Sequence, residues 1–255
     1  LQKKSINREG IESINKYGSR MIVDIYNSPI DIWVLFPETG DRIHSTWQNF
    51  KLKVVRSVFD KTLFGIGFIG SGEYKVTING EYTNQYLTWR AMLQRCYDEK
   101  FHKKQPTYVE CSVTEEWLNF QNFAAWYDLN YYQIDGEIMS LDKDILIKGN
   151  KLYSPDTCVF VPQSINSIFI KGEGLRGDLP IGVHHRKDNN KYRVKCNDGK
   201  GNQTSVGQFT NITDAFKAYK SFKEKVIKQV AEEYKNRIPN RVYQAMITYR
   251  VEITD

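Results

Sequence analysis

Along the first 74 residues the apolar side chains come in short runs broken by turn residues. Met21-Ile-Val-Asp-Ile-Tyr26, Ile32-Trp-Val-Leu-Phe36, Val54-Val55 and Leu63-Phe-Gly-Ile-Gly-Phe68 predict short strands. Pro37-Glu-Thr-Gly40 predicts the turn that joins two of them. From residue 75 the period changes: Tyr86, Trp89, Leu93 and Tyr97 recur at helical spacing, with Met92 and Cys96 beside them. A second helix is expected to begin near Ser112 or Thr114, with Glu115 completing a capping box if Ser112 caps. Its stripe is Trp117, Phe120, Ala124 and Tyr127, and both aromatic stripes read as core.

Next come a strand-like run carrying charges, Leu141-Asp-Lys-Asp-Ile-Leu-Ile147, and a turn at Lys148-Gly-Asn-Lys151. The Tyr153 to Val161 segment follows, then a short helix around Asn166. Lys171-Gly-Glu-Gly-Leu-Arg-Gly177 has the composition of a linker. Beyond it, Ile181 to Arg186, Lys191 to Cys196 and Gln203 to Phe209 predict three strands, with turns at 188–190 and 198–202. A helix is expected from Asn211 or Thr213, with Phe216, Tyr219, Phe222, Val226, Val230 and Tyr234 on one side, stopping before Pro239. The fold class is therefore α+β, in three modules. They are an N-terminal β-rich module at 1–74, a central module at 75–170, and a three-stranded sheet plus helix with a C-terminal extension at 178–255.

Charge changes the picture in the last third. Residues 171–255 carry 17 Lys and Arg against 10 Asp and Glu, whereas residues 1–170 carry 19 against 20. All of the excess of +6 is thus concentrated in one module, as expected for a polyanion partner. No apolar run approaches the ~20 residues needed to cross a bilayer, so no membrane role is expected. The first residues lack the apolar stretch of a secretory signal, and four scattered cysteines without a CxxC fit a reducing compartment, which predicts a cytoplasmic protein.

The predicted strand at 191–196 is the most informative piece. Successive strand side chains face opposite ways, so Tyr192, Val194 and Cys196 share one face and Lys191, Arg193 and Lys195 the other. The first set suits the apolar stripe of the following helix, and three cations are then forced outward. Arg186 and Lys187 on the preceding strand, with Gln203 and Ser205 on the next, extend that surface. A sheet of this width enters the major groove of double-stranded DNA, with Arg suited to guanine edges and Lys to phosphates. Lysines that protect a sheet edge from aggregation would give a similar pattern. His184 and His185, adjacent on a strand, cannot both face one site, and one is expected packed and one exposed.

Two other patterns are weaker. Gly65, Gly67, Gly70 and Gly72 resemble a phosphate loop, but no Lys-Ser/Thr follows, and a tight connector is the better reading. Cys96, His102, Cys111 and Cys158 are candidate ligands for a structural zinc, yet the spacing fits no common knuckle and buried thiols are expected instead.

The order of motifs in the middle segment carries a resemblance. Tyr86-Leu-Thr-Trp-Arg-Ala-Met-Leu-Gln-Arg-Cys-Tyr97, Tyr108 to Trp117, Phe120 to Trp126, then Leu141-Asp-Lys-Asp, Gly149-Asn, Tyr153-Ser-Pro-Asp-Thr-Cys158 and Ile165-Asn166 resemble bacteriophage HNH-type homing endonucleases. Gly182-Val183, Tyr192-Arg-Val194 and Asp214-Ala-Phe216 to Tyr219 resemble the Apetala-type DNA-binding domain that such proteins carry. The two cover about residues 84–236, and residues 1–74 look like a companion module. The resemblance implies a degenerate ββα-metal, HNH-like centre in which a strand histidine activates water, a divalent metal stabilises phosphate and an Asn positions the loop.

This chain departs from that pattern. Lys143 stands where the histidine is expected and Thr157 where the central Asn is, while Asn166 fills the third position. Asp142 and Asp144, alternate in a regular strand, would share a face and hold Mg²⁺ together with Asn166. Lys143 would contact the scissile phosphate, leaving the base to an unidentified His or to water. The resemblance implies a metal-dependent DNA endonuclease in the host cytoplasm. The alternatives are a non-catalytic DNA-binding protein on the same scaffold, or a phage structural or inhibitory protein. The oligomeric state is not set by any of these patterns.

Overall fold

The computed structural model describes residues 7–169 and 179–255. The chain is mixed α and β with several small sheets. It divides into two compact units, one ending at Leu129 and one running from Asn130 to Asp255. The stretch expected to be a linker, 171–177, lies outside the described residues.

The first unit opens with an antiparallel meander of β1 (Glu12–Ile14), β2 (Arg20–Ser28), β3 (Asp31–Phe36) and β4 (Asp41–Ser45), capped by the short helix α1 (Trp47–Lys51). Met21, Val23, Ile32, Val34 and Phe36 turn inward onto Phe50 and Val55. The expected turn after Phe36 is there, closed by the Gly40 amide on Phe36 O at 2.8 Å, with Gly40 at φ +77°. Val54-Val55 and Leu63 to Phe68 are not strands. Val55 is a core plug in a loop, and Leu63 only bridges Gly67.

The glycine cluster is a connector of unusual tightness. A Cβ at Gly67 would lie 2.4 Å from Leu93 Cδ1, at Gly70 2.1 Å from Asn119 Oδ1, and at Gly72 2.3 Å from Gln121 Oε1. The backbone thus passes directly over the side chains of Leu93, Asn119 and Gln121, which would have to shift for any larger residue. A hairpin of β5 (Thr77–Ile78) and β6 (Glu81–Tyr82) leads into α2 (Asn84–Tyr97), capped by Thr83, then α3 (Glu99–His102). Trp89, Met92 and Leu93 are fully buried, as their spacing requires. The second helix starts later than expected. Ser112 belongs to β7 (Ser112–Val113), a 3₁₀ turn occupies Glu115–Leu118, and α4 is Phe120–Asn130. No capping box forms at Ser112, because the chain there is extended.

In the second unit β8 (Met139–Asp142) pairs antiparallel with β10 (Val159–Pro162), and β9 (Leu152–Tyr153) lies in the connection between them. α5 (Gln163–Ile168) follows. Then come β11 (Val183–Arg186), β12 (Lys191–Asn197) and β13 (Gln203–Phe209), an antiparallel sheet in that order. α6 (Ile212–Tyr234) is 23 residues long and Asn211 caps it, accepting the Asp214 amide at 2.8 Å. Its first half, with Ala215, Phe216 and Tyr219, packs under the three-stranded sheet. Its second half, with Val226, Ile227, Val230 and Ala231, packs on Val159, Val161, Ile165 and Ile168. One helix therefore carries two cores. A further helix, α7 (Asn240–Thr248), lies in the C-terminal extension, beyond the expected elements; Val242, Tyr243 and Met246 close the second core from outside. Among the described residues no helix is long and apolar enough to cross a membrane.

Candidate nucleic-acid interface

Alternation along β12 sorts its side chains between two environments. Val194 and Cys196 are 0% and 2% exposed and lie in the core between sheet and α6. The residues between and beside them must point the other way. Lys191 is exposed on that outer face, and Arg193 and Lys195 are partly exposed. Antiparallel register widens the face across all three strands. Arg186 pairs with Lys191 and His184 with Arg193 on one side. Gln208 pairs with Arg193, Ser205 with Lys195 and Gln203 with Asn197 on the other.

A bulge in β13 changes what the face contains. Val194 pairs with Gly207 but Lys195 pairs with Ser205, so Val206 is the extra residue. An extra residue reverses the alternation beyond it. Ser205 and Gln208, three apart, both face outward as a result, while Val206 and Phe209 pack toward the core. Simple period-two reasoning finds Gln203 and Ser205 but misses Gln208, because a bulge has no reliable signature in one sequence. Gly207 is the one hint: a Cβ there would meet the Phe209 ring at 3.1 Å.

The remaining expected contacts differ in availability. Lys187 sits in the exposed β11–β12 turn. Arg186 is engaged by Asp188, with Nε to Oδ1 at 3.0 Å and Nη2 to Oδ2 at 2.5 Å. That pair is solvent-exposed and therefore weak enough to exchange for phosphate. The two histidines do face opposite ways, but both are exposed. His185 leans on the Tyr192 ring at 5.3 Å and its Nε2 meets Asn190 Oδ1 at 3.0 Å. It escapes burial because it lies at the sheet end, beyond the core that Val183 and Val194 form.

The strand end at Asp142 is built differently from the expectation. β8 stops at Asp142, so Asp142 and Asp144 are not alternate residues of one regular strand. Asp142 Oδ1 instead accepts the amides of Asp144 at 2.9 Å and Ile145 at 2.7 Å, closing a turn. Burial, and then the charge of Asp144, push the Asp142 carboxyl up to about 6. Lys143 is also buried, with Nζ 3.4 Å from Asp144 Oδ2 and 5.8 Å from the Tyr153 ring centre. An oxygen already holding two amides and a carboxylate already beside an ammonium fit Mg²⁺ poorly. Among the described residues no three His, Cys, Asp or Glu side chains form a metal-ligand group.

Two further residues organise this loop. Asn150 Nδ2 donates to Lys143 O and to Leu152 O, both at 2.7 Å, and its Oδ1 accepts the Leu152 amide at 3.2 Å. Asn150 thus ties the two ends of the loop, the task the resemblance implied for the position of Thr157. Thr157 closes a smaller turn, with Oγ1 on Leu152 O at 2.8 Å. Asn166 lies in α5 with Ile165 and Ile168 buried on either side of it. All four thiols are buried and outside any disulfide, and burial pushes Cys158 up to about 12, which leaves it inert.

Compared with protein-family models, with curated proteins and with solved structures, the chain matches none.

Proposed function

We propose that this protein binds double-stranded DNA on the outer face of the β11–β13 sheet. The observation that carries the reading is the sorting on β12: with Val194 and Cys196 locked inward, Lys191, Arg193 and Lys195 have only the solvent side to occupy. That face is polar on all three strands and carries its cations on β11, the β11–β12 turn and β12, and a sheet of three strands, with ~4.8 Å between neighbours, fits a major groove ~12 Å wide. Arg193, at the centre, suits a guanine edge, while Lys187, Lys191 and Lys195 suit phosphates. Gln203, Ser205 and Gln208 add donors and acceptors that bases or sugars can use.

The strand-end carboxylates support binding without cleavage. Asp142 and Lys143 serve the turn that holds the β8–β10 loop, and the two histidines of that unit, His184 and His185, are exposed on β11. The HNH-like arrangement then acts as scaffold for the adjoining sheet, through the shared helix α6.

Fluorescence anisotropy with a labelled mixed-sequence duplex, run at rising salt, tests the reading. Binding should weaken with a log–log slope of about −3 to −5, as displacement of a few phosphate counterions requires. The same protein with Mg²⁺ or Mn²⁺ should leave supercoiled plasmid intact. Affinity indifferent to salt would remove phosphate contacts from the account, and metal-dependent nicking would restore the nuclease reading.

A further inference from the structure

We propose that His184 makes DNA binding by this face proton-dependent, so that the sheet holds a duplex more tightly below neutral pH than above it. The inference rests on the DNA-binding reading and adds a control to it.

His184 is exposed on the outer face and stands directly across from Arg193, the central cation. Its neighbours on the outer face are mostly cations. Arg193 faces it from β12, with Lys191 and Lys195 one step along that strand in either direction. Arg186 lies two residues along β11, and beyond Arg193 the partner on β13 is the neutral Gln208. Asp188, at the adjoining turn, is held by Arg186. The described outward positions of the three strands include no carboxylate.

A bound phosphate supplies a negative charge there. Imidazole is the one side chain whose ordinary titration falls between about pH 5 and pH 8, and a nearby anion favours its charged form. Binding and protonation then promote each other: the duplex draws a proton onto His184, and the proton adds one more cation to the face. His185 supplies the internal comparison. It is the neighbouring residue and also exposed, but it points the other way, occupied by Tyr192 and Asn190.

Anisotropy with a labelled mixed-sequence duplex at constant ionic strength, between about pH 8 and about pH 6, separates the roles. The wild type and His185→Gln should both gain about three- to tenfold in affinity over that range, with a steeper salt slope at the acidic end. His184→Gln should gain little over the same range. A pH response retained in His184→Gln, or lost in His185→Gln, overturns the inference. Binding that is firm but flat with pH in the wild type also overturns it and leaves the DNA-binding reading standing. Absence of binding at every pH overturns that reading and this inference together.

Discussion

Arg193 and Val194 are neighbours in the chain and stand on opposite sides of one sheet, the first toward solvent and the second 0% exposed against α6. The outward cationic face is therefore a by-product of packing. Burying one set of β12 side chains fixes the direction of the other, and the firmness of the core determines how well the cations are held in place. This makes the sheet–helix contact the first place where the account is testable.

Gly182 shows how close that contact is. It has φ +73°, and a Cβ there would lie 2.2 Å from the Tyr219 ring and 2.8 Å from Lys195 O. Gly182→Ala is expected to cost about 2 kcal/mol or more in urea unfolding, through backbone strain and the push on Tyr219. It should also lower DNA affinity, since Lys195 shifts with its own carbonyl. A variant as stable as the wild type would mean that the ring and strand are free to move apart.

Asp142 gives a pH prediction. Its folded carboxyl titrates near 6, above the ordinary Asp value of about 3.9. Between those values the folded state holds more protons than the unfolded one, so stability falls as pH rises through that window. Asp142→Asn keeps an Oδ1 to accept both amides and removes the buried charge. It should be more stable than the wild type at pH 7 by about 1–2 kcal/mol, with the gap closing below about pH 4. Asp142→Ala loses the acceptor and should cost about 1–3 kcal/mol. Thermal melts across pH decide this: an Asn variant as damaged as the Ala variant would mean that the negative charge itself is needed there.

How much of this was legible in the sequence differs from element to element. β11, β12, β13 and α6 could be placed almost to the residue, because alternation, turn residues and a helical stripe all agreed. β4 was missed because Asp41-Arg-Ile-His-Ser45 is an edge strand with little apolar signal. α7 was missed although its signal was present: Pro239 precedes it and Val242, Tyr243 and Met246 have helical spacing. At Asp142 the difficulty is geometric. Alternation continues past residue 142 on paper, and the bend that gives Asp142 two backbone amides to accept has no signature in that pattern. Asn150 reads as a turn residue because two of its three hydrogen bonds are local, to Leu152, and only the bond to Lys143 O reaches across the loop.

The two cores of the second unit share α6, and their stabilities should be linked. Ile227, 1% exposed, belongs to the core farther from the sheet. Ile227→Ala should cost about 2–5 kcal/mol from lost burial and the cavity left behind. If α6 acts as one rod, amide exchange along β12 speeds up by a matching factor in hydrogen-exchange measurements. Unchanged protection of β12 would show that the sheet folds on the first half of the helix alone.

The most direct test concerns the outward cations themselves. In Arg193→Ala combined with Lys195→Ala, both lost groups lie on the solvent side, so the thermal midpoint should stay within a few degrees of the wild type. Duplex affinity should drop about ten- to a hundredfold, and the salt slope should shrink by about two units in magnitude. A well-folded double variant that binds the same duplex with undiminished affinity and the same salt slope would contradict the assignment of this face.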